Sequence, residues 1–486
     1  MKPDVNIVLA SNRGPVSFVK TKDGFEPTRG AGGLAGALDW VARELGERAV
    51  WIAAATSDLD RQALAAGEAD ALRDVLGYPV RMLDIDPGTY HRYYNGVSNR
   101  MLWFANHCLW DELDADPAFE ADDWAEAYEP VNIRFADAVI DAATDDALVL
   151  FQDYHLATAP GHLRERGDEH TILHFTHSSF CGPEGLERLP APIPRGIVEG
   201  MLGADLLGFH VPPWANGFLD CCERIGAEVD RDAGLVHHEG RRTWVRAYPI
   251  PIDPKDLRER AAQVPAREWA KRFRSSADNL IVRADRAEPS KNIIRGFEAF
   301  GRLLDRRQDL RDSTRFVACL YPSRESMPEY QRYIERIQAA VEEVTSRHPS
   351  SIDLYLKDDF DRTLGAYLVY DVLLVNPIMD GMNLVSKEGP ALNEESGVLV
   401  LSTGAGSHHE LGDHAVSISD PLDVDATATA LEAALELDRT GRDRKARALR
   451  SVIDARLPEE WIEGQLEDLR AIARDKEPLS GPPISS

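Results

Sequence analysis

Cysteine is scarce in this chain, and the little there is has the wrong spacing for a metal knuckle or a disulfide framework. Cys108, Cys181, Cys221, Cys222 and Cys319 are odd in number, include one adjacent pair and form no C-x-x-C. They read as free thiols of a reducing compartment. The His-His pairs at 237–238 and 408–409 lack partners at ligand spacing, so no metal is expected. Basic residues are in deficit too, 55 against 82 acidic ones, for a formal charge of −27. That balance argues against nucleic acid or an anionic membrane surface as a partner. Nor is there a run of the roughly 18 apolar residues that a membrane span needs. The N-terminal MKPDVNIVLASNR has an apolar run too short for a secretory signal and reads as a first strand. A cytoplasmic protein is expected, in which any anionic ligand must be held by a local cluster of Arg and Lys.

What the chain does have is length, 486 residues at 43% hydrophobic, which makes two domains the default. Short apolar runs alternate with helical stretches: 5–10, 50–55, 147–151, 171–175 and 206–209, then 280–282, 315–320, 352–356, 372–375 and 398–402. Such alternation predicts parallel sheets covered on both faces. The Pro-rich stretch 248–254 separates the two sets. The expected fold is therefore α/β, two Rossmann-like doubly wound domains facing a central cleft, 1–250 and 251–456. Ile462, Leu466, Leu469 and Ile472 recur at spacings of three and four, predicting an amphipathic helix within 457–475 that packs back on the first domain. The Pro- and Ser-rich tail 476–486 is expected to fray. No sequence repeat relates the halves.

Open α/β sheets bind ligands at the carboxyl ends of their strands, so the residues just after each run matter most. Ser11-Asn12-Arg13 follows the first strand, with a glycine-rich turn at 29–36 beyond it. Asp153 follows the run at 147–151, and His174 and His177 lie within and just after the next. In the second half Arg286 and Lys291 leave one strand and Arg324 another, an Arg fork and a Lys point charge that suit a diphosphate. MDGMNLVSKE, residues 379–388, forms a strand–turn–helix corner whose free N–H groups would attract a phosphate. Each has a plainer reading: an ordinary βα turn, a solvated charged face or, for His174, a core histidine. Several cationic strand ends in a chain of charge −27 are harder to dismiss together.

In order, SNR with its AGGLAG turn, the run from Tyr93-Tyr94-Asn95 to Trp103, QDYHL, RAEPSKN, PSR and DGMNLVSKE resemble the trehalose-6-phosphate synthases, retaining glycosyltransferases of the GT-B fold, over roughly residues 5 to 470. The resemblance implies that Asp380 and the backbone of Gly381, Met382 and Asn383 hold the donor glucose. Leu384 and Val385 N–H groups would meet the diphosphate with Arg286 and Lys291, and Glu388 the ribose. His177 would contact the donor glucose, and Gly33 would lie between the two sugars. Arg13, Tyr94 and Arg324 would bind the phosphate of glucose 6-phosphate, with Trp103 and Asp153 against its sugar. Two departures stand out. Ser178-Ser179-Phe180-Cys181-Gly182 replaces the usual Ile- or Thr-Pro pair and aromatic, and Met379 replaces an Arg. A shortened loop after Phe360 would leave room for a purine, as in relatives that prefer GDP-glucose.

The implied reaction is glucosyl transfer from GDP- or UDP-glucose to glucose 6-phosphate by front-face substitution, with no cofactor or metal. His177, Asp153, Asp380, Arg286 and Lys291 would be its catalytic groups. Two other readings stay open: the same fold with another acceptor or donor, as in a glucosylglycerol-phosphate synthase or a pseudo-glycosyltransferase coupling cyclitols, and a catalytically silent sugar-phosphate sensor. A homo-oligomer is compatible with either.

Overall fold

The apolar runs pair as neighbouring parallel strands because each is flanked by a helix that returns the chain to the same end of the sheet. A computed structural model describes residues 6–22, 24–29, 33–68, 72–110, 122–324 and 327–476. The described residues form two compact units, one from 6–110, 122–249 and 458–476, the other from 250–457. In the first unit, strands β1 (Ile7–Ser11), β4 (Ala49–Ala54), β5 (Val80–Leu83), β6 (Leu148–Gln152), β7 (Thr171–Phe175), β8 (Leu206–Phe209), β9 (Glu228–Asp230), β10 (Leu235–His238) and β11 (Arg241–Ala247) form one sheet, and β2 (Val16–Lys20) and β3 (Phe25–Arg29) form a hairpin. The sheet order is β5-β4-β1-β6-β7-β8-β11-β10-β9, parallel as far as β11 and antiparallel beyond it. Ile7 faces Ala49 on one side and Leu148 on the other. Every residue of β1, β4, β6 and β8 is buried, as a strand covered on both faces requires.

The second unit holds β12 (Asn279–Arg286), β13 (Thr314–Tyr321), β14 (Ile352–Leu356), β15 (Val372–Val375), β16 (Val398–Ser402) and β17 (Val416–Ile418), all parallel, in the order β14-β13-β12-β15-β16-β17. Counted within the unit that is the doubly wound order 3-2-1-4-5-6. The parallel part of the first sheet follows it too, if the hairpin is set aside. In both, the order reverses beside the first strand, and there the chain leaves in opposite directions and opens a crevice.

The helix Pro458–Ile472 belongs to the first unit and buries Ile462, Leu466 and Leu469. Its anchors are polar as well: Trp461 Nε1 donates to Tyr248 O at 2.9 Å, and the Tyr248 hydroxyl donates to the buried Asp468 at 2.6 Å. The tail from residue 477 lies outside the described residues. The run after Phe360 is corrected from a loop to the helix Phe360–Val369, capped by Asp359 accepting from Arg362 N. Its buried Leu364, Ala366 and Leu368 give it a core face. Among the described residues no helix is long and apolar enough to cross a membrane.

In the first unit, His162 joins the helices Glu129–Ala142 and Ala159–Glu165, with Nε2 2.5 Å from Glu129 and Nδ1 2.9 Å from Glu165. Burial disfavours its charge, but the two carboxylates outweigh burial and raise its pKa above 6.5. The raised pKa means that its contribution to stability is full below the unfolded value and is lost as pH rises through the folded one. His162→Gln should therefore lower the melting temperature more at about pH 6 than at about pH 9. Equal losses at both pH values would show that the imidazolium is not the linking species.

Candidate active site

At the first sheet's reversal, β1 and β6 lie side by side and present their ends together. Ser11 Oγ, after donating to Arg13 O at 2.6 Å, accepts Trp51 Nε1 at 2.8 Å, which fixes the turn that exposes Arg13. Asn12 bonds the hydroxyl of Tyr90 at 3.2 Å. Burial pushes that hydroxyl's pKa up, against the nearby Arg13 charge. Tyr90 stacks on Tyr94 at 5.6 Å, and Tyr94 on His155 at 5.6 Å. These tyrosines sit around an 11-residue π-helix, Arg92–Leu102, a rare geometry that frequently accompanies functional sites. Trp103, just beyond it, is 3% exposed and packs on Phe104 and His107.

Asp153 takes a positive φ of 69° directly after β6, and its carboxylate accepts the His177 N–H at 3.1 Å. His155 Nδ1 lies 3.8 Å from the same carboxylate. His177 Nε2 is 2.9 Å from Gln152 Oε1, which puts the proton on Nε2 and leaves Nδ1 as an acceptor. Burial, helped by His210 and His174, holds the His177 imidazole well below its ordinary pKa, so it is neutral. His174, three residues earlier and inside the strand, is fully buried and pushed by burial down to about 4. It bonds the Asp153 carbonyl at 3.2 Å, a core role. Ser178 and Ser179 turn inward, where Ser179 Oγ donates to Asn106 O at 2.6 Å. Gly33 begins the helix Gly33–Leu45, while residues 30–32 of the glycine-rich turn lie outside the described ones.

At the second reversal, β12 and β15 are neighbours, and the strand ends carry opposite charges. Lys291 pairs with Asp380, which also accepts Asn383 Nδ2 at 3.0 Å. Burial opposes the Lys291 charge most strongly, yet Asp380, Asp285 and Glu288 together outweigh it and raise the pKa. The turn carrying Lys291 is held by the buried Arg283, which donates to Lys291 O at 2.8 Å and to Asp285 at 2.9 Å. Arg286 keeps 42% of its side chain exposed and lies 3.1 Å from Glu288, the main cause of its raised pKa.

After Asp380 the chain turns through Gly381, Met382 and Asn383, the last at φ 68°, into the helix Val385–Leu392. Among the described bonds the N–H groups of Leu384 and Val385 have no acceptor, as the first amides of a helix must. Adjacent side chains then diverge. Lys387 is buried, donating to Ile250 O at 2.8 Å and Glu410 at 2.6 Å. Glu388 is half-buried beside the Tyr367 hydroxyl at 3.4 Å, and burial raises its pKa to about 7. Arg324, after β13, has a φ of 50° and donates to the Tyr330 hydroxyl.

In the first unit Tyr94, Asp153 and His177 are linked directly or through His155, and in the second Lys291 pairs with Asp380 while Arg286 and Arg324 share Glu288; the contacts described do not join Gly33, Trp103 or Glu388 to these groups. Sequence reading missed the segment at 403–407, which grips the turn by backbone alone: Asp380 N donates to Gly404 O at 2.9 Å and Gly406 N to Asp380 O at 3.1 Å. A Cβ on Gly406 would stand 2.0 Å from Gly381 O. Small residues without chemistry of their own give no motif; two glycines within three residues after a strand were the available signal. Gly406→Ala should cost about 1–3 kcal/mol of stability and displace the 380–383 turn. Wild-type melting and nucleotide binding in that variant would show that the close approach is dispensable.

Comparison with known proteins matches residues 5–471 to the model of glycosyltransferase family 20. A validamine 7-phosphate valienyltransferase of Streptomyces hygroscopicus subsp. jinggangensis (strain 5008) is 31% identical, covering 96% of this chain and 94% of that protein. A trehalose-6-phosphate synthase of Mycolicibacterium smegmatis is 32% identical over 96% of this chain and 92% of its own. The solved structure of an alpha,alpha-trehalose-phosphate synthase (UDP-forming) from Burkholderia vietnamiensis superposes with a TM-score of 0.82 at 27% identity, covering 97% of this chain and 99% of that one. With matching motifs, near-complete coverage and two parallel-sheet units, the chain belongs to glycosyltransferase family 20.

Proposed function

We propose that the chain transfers glucose from UDP- or GDP-glucose to the anomeric hydroxyl of glucose 6-phosphate, with retention, forming α,α-trehalose 6-phosphate. The observation that carries this reading is the second strand-order reversal. Arg286 ends one strand and Lys291 sits in the turn after it, and Asp380 and two open amides follow the neighbouring strand. That set suits a sugar diphosphate, with Asp380 and the 381–383 backbone on the glucose and the Leu384 and Val385 N–H groups on the phosphates. The first unit would supply Arg13, Tyr94, Trp103 and Asp153 to the acceptor and neutral His177 to the donor glucose, and in the second unit Arg324 would bind a phosphate of the acceptor.

A retaining enzyme that works through a covalent intermediate needs a carboxylate free to attack. Asp153 is engaged by the His177 amide and Asp380 by Lys291 and Asn383, which favours a route without one. In that route the acceptor oxygen bonds to C1 on the face from which the diphosphate oxygen departs, and that oxygen takes the acceptor proton. Arg286, Lys291 and the helix start stabilise the charge left on the diphosphate. A second reading, the coupling of cyclitols, is favoured by the valienyltransferase relative and by the inward Ser178-Ser179 in place of the family's usual residues.

The test is product analysis with UDP-glucose and GDP-glucose against glucose 6-phosphate. Formation of trehalose 6-phosphate supports the reading; no product from either donor removes it. With the accepted donor, Arg286→Ala or Lys291→Ala should lower kcat at least about 100-fold, as loss of one preorganised charge donor does. Near-normal turnover in both would take these cations out of the mechanism.

Glu388 gives the reaction a pH signature. If ribose hydroxyls donate to its carboxylate, only the ionised form binds, and a pKa of about 7 leaves most of it protonated on the acid side. Affinity for the nucleotide sugar should then rise about tenfold between about pH 6 and pH 8. Glu388→Gln should bind more weakly and lose this slope. An unchanged slope in that variant would assign the pH dependence to another group.

A further inference from the structure

One buried acid in the second unit has no task in the transfer as described. Glu288 has a side chain 1% exposed, three residues before Lys291. Its Oε1 lies 3.1 Å from Arg286 Nη1 and 3.8 Å from Arg324 Nη1, and it accepts Ser323 Oγ at 3.0 Å. Oε2 is buried with no donor among the described residues. The carboxylate therefore does not serve its own hydrogen bonding well, as a purely structural acid would. It sits between two guanidinium groups that leave adjacent strands, β12 and β13, and that are assigned above to different phosphates. Arg324 is fixed from its other side, bonded to the Tyr330 hydroxyl and lying 5.3 Å over that ring.

We propose that Glu288 is a positioning residue that sets the Arg286 and Arg324 guanidinium groups on one shared carboxylate and so balances the leaving diphosphate against the acceptor phosphate. The proposal rests on the donor and acceptor roles given above. Burial alone would neutralise Glu288, but Arg286, Arg324 and Lys291 outweigh it and keep the carboxyl ionised. Without that charge the two guanidinium groups would repel each other and change direction. With it, each cation is partly compensated and does not bind a resting phosphate at full strength. As the C1–O bond breaks, the diphosphate gains negative charge and competes better with Glu288 for Arg286. The interaction strengthens along the reaction, which is the kind that accelerates it.

Glu288→Gln keeps the shape and removes the charge. Relative to wild type, kcat should fall at least about tenfold while UDP, titrated by calorimetry, binds at least about threefold tighter. A merely structural loss would weaken binding and turnover together. Glu288→Asp, which keeps the charge, should restore UDP affinity towards wild type, and Ser323→Ala should move both quantities in the Gln direction by less. The serine variant also serves if Glu288→Gln fails to fold. Unchanged kcat and UDP affinity in Glu288→Gln, or weaker binding with slower turnover, overturns the proposal. The UDP titration does not involve the acceptor. A wild type that binds UDP but makes no trehalose 6-phosphate, with tighter binding in Glu288→Gln, would retire the acceptor assignment and leave the Glu288–Arg286 link standing.

Discussion

A protein with 27 excess negative charges can hold a diphosphate only where cations are gathered and kept in place. The second unit does this by burying its cations with carboxylates. Arg283 is tied to Asp285, Lys291 to Asp380, and Arg286 and Arg324 to Glu288. Four cations thus stand against three carboxylates in one cluster, enough to leave it positive while no member is left buried and unpaired. The carboxylates also fix direction. Asp380 is held in one orientation by Lys291 and Asn383, and Arg283 uses its remaining donors on the carbonyls of Lys291 and Ile293 to shape the turn.

Why the cluster assembles where it does follows from strand order. In a doubly wound sheet the crossovers on either side of the first strand run to opposite faces, and the loops after the two central strands diverge. In the second unit these strands are β12 and β15, and Lys291 and Asp380 are their first charged contact. In the first unit they are β1 and β6, which carry Arg13 and Asp153. The two halves share no sequence repeat, yet they place their chemistry by the same topological rule. What differs is the material: ion pairs in the second unit, and in the first a stack of aromatic rings from Tyr90 through Tyr94 to His155.

The parts legible in the sequence are those whose physics is local. Buried parallel strands are nearly uninterrupted apolar runs, so 171–175, 206–209, 372–375 and 398–402 read correctly to the residue, as does the half-buried edge strand 352–356. Other edge strands hide: Val80–Leu83 buries only Leu83, and Glu228–Asp230 buries nothing. The cations announced themselves because charge at a strand end is unusual. The grip of 403–407 and the place of Glu288 between two arginines are relations between distant segments, and no single stretch encodes them. The helix after Phe360 passes for a loop on length alone, and the local signal that marks it is its cap, Asp359 ahead of Phe360.

The pair Lys387 and Glu388 shows how far local reading goes. On a helix, neighbours point about 100° apart, so two adjacent charged residues cannot both face one ligand. Lys387 takes the buried side, where Ile250 O and Glu410 satisfy it, and it ties the helix Val385–Leu392 to two distant parts of the same unit. That leaves Glu388 on the side of Tyr367, in surroundings dry enough to lift its pKa to about 7. The direction follows from the helix and the buried partner, with no appeal to a ligand. A lysine in the 379–388 corner looks from sequence like one more phosphate cation, but its ammonium is already committed, and anchoring the helix whose N-terminus carries the open Leu384 and Val385 amides is the work it does.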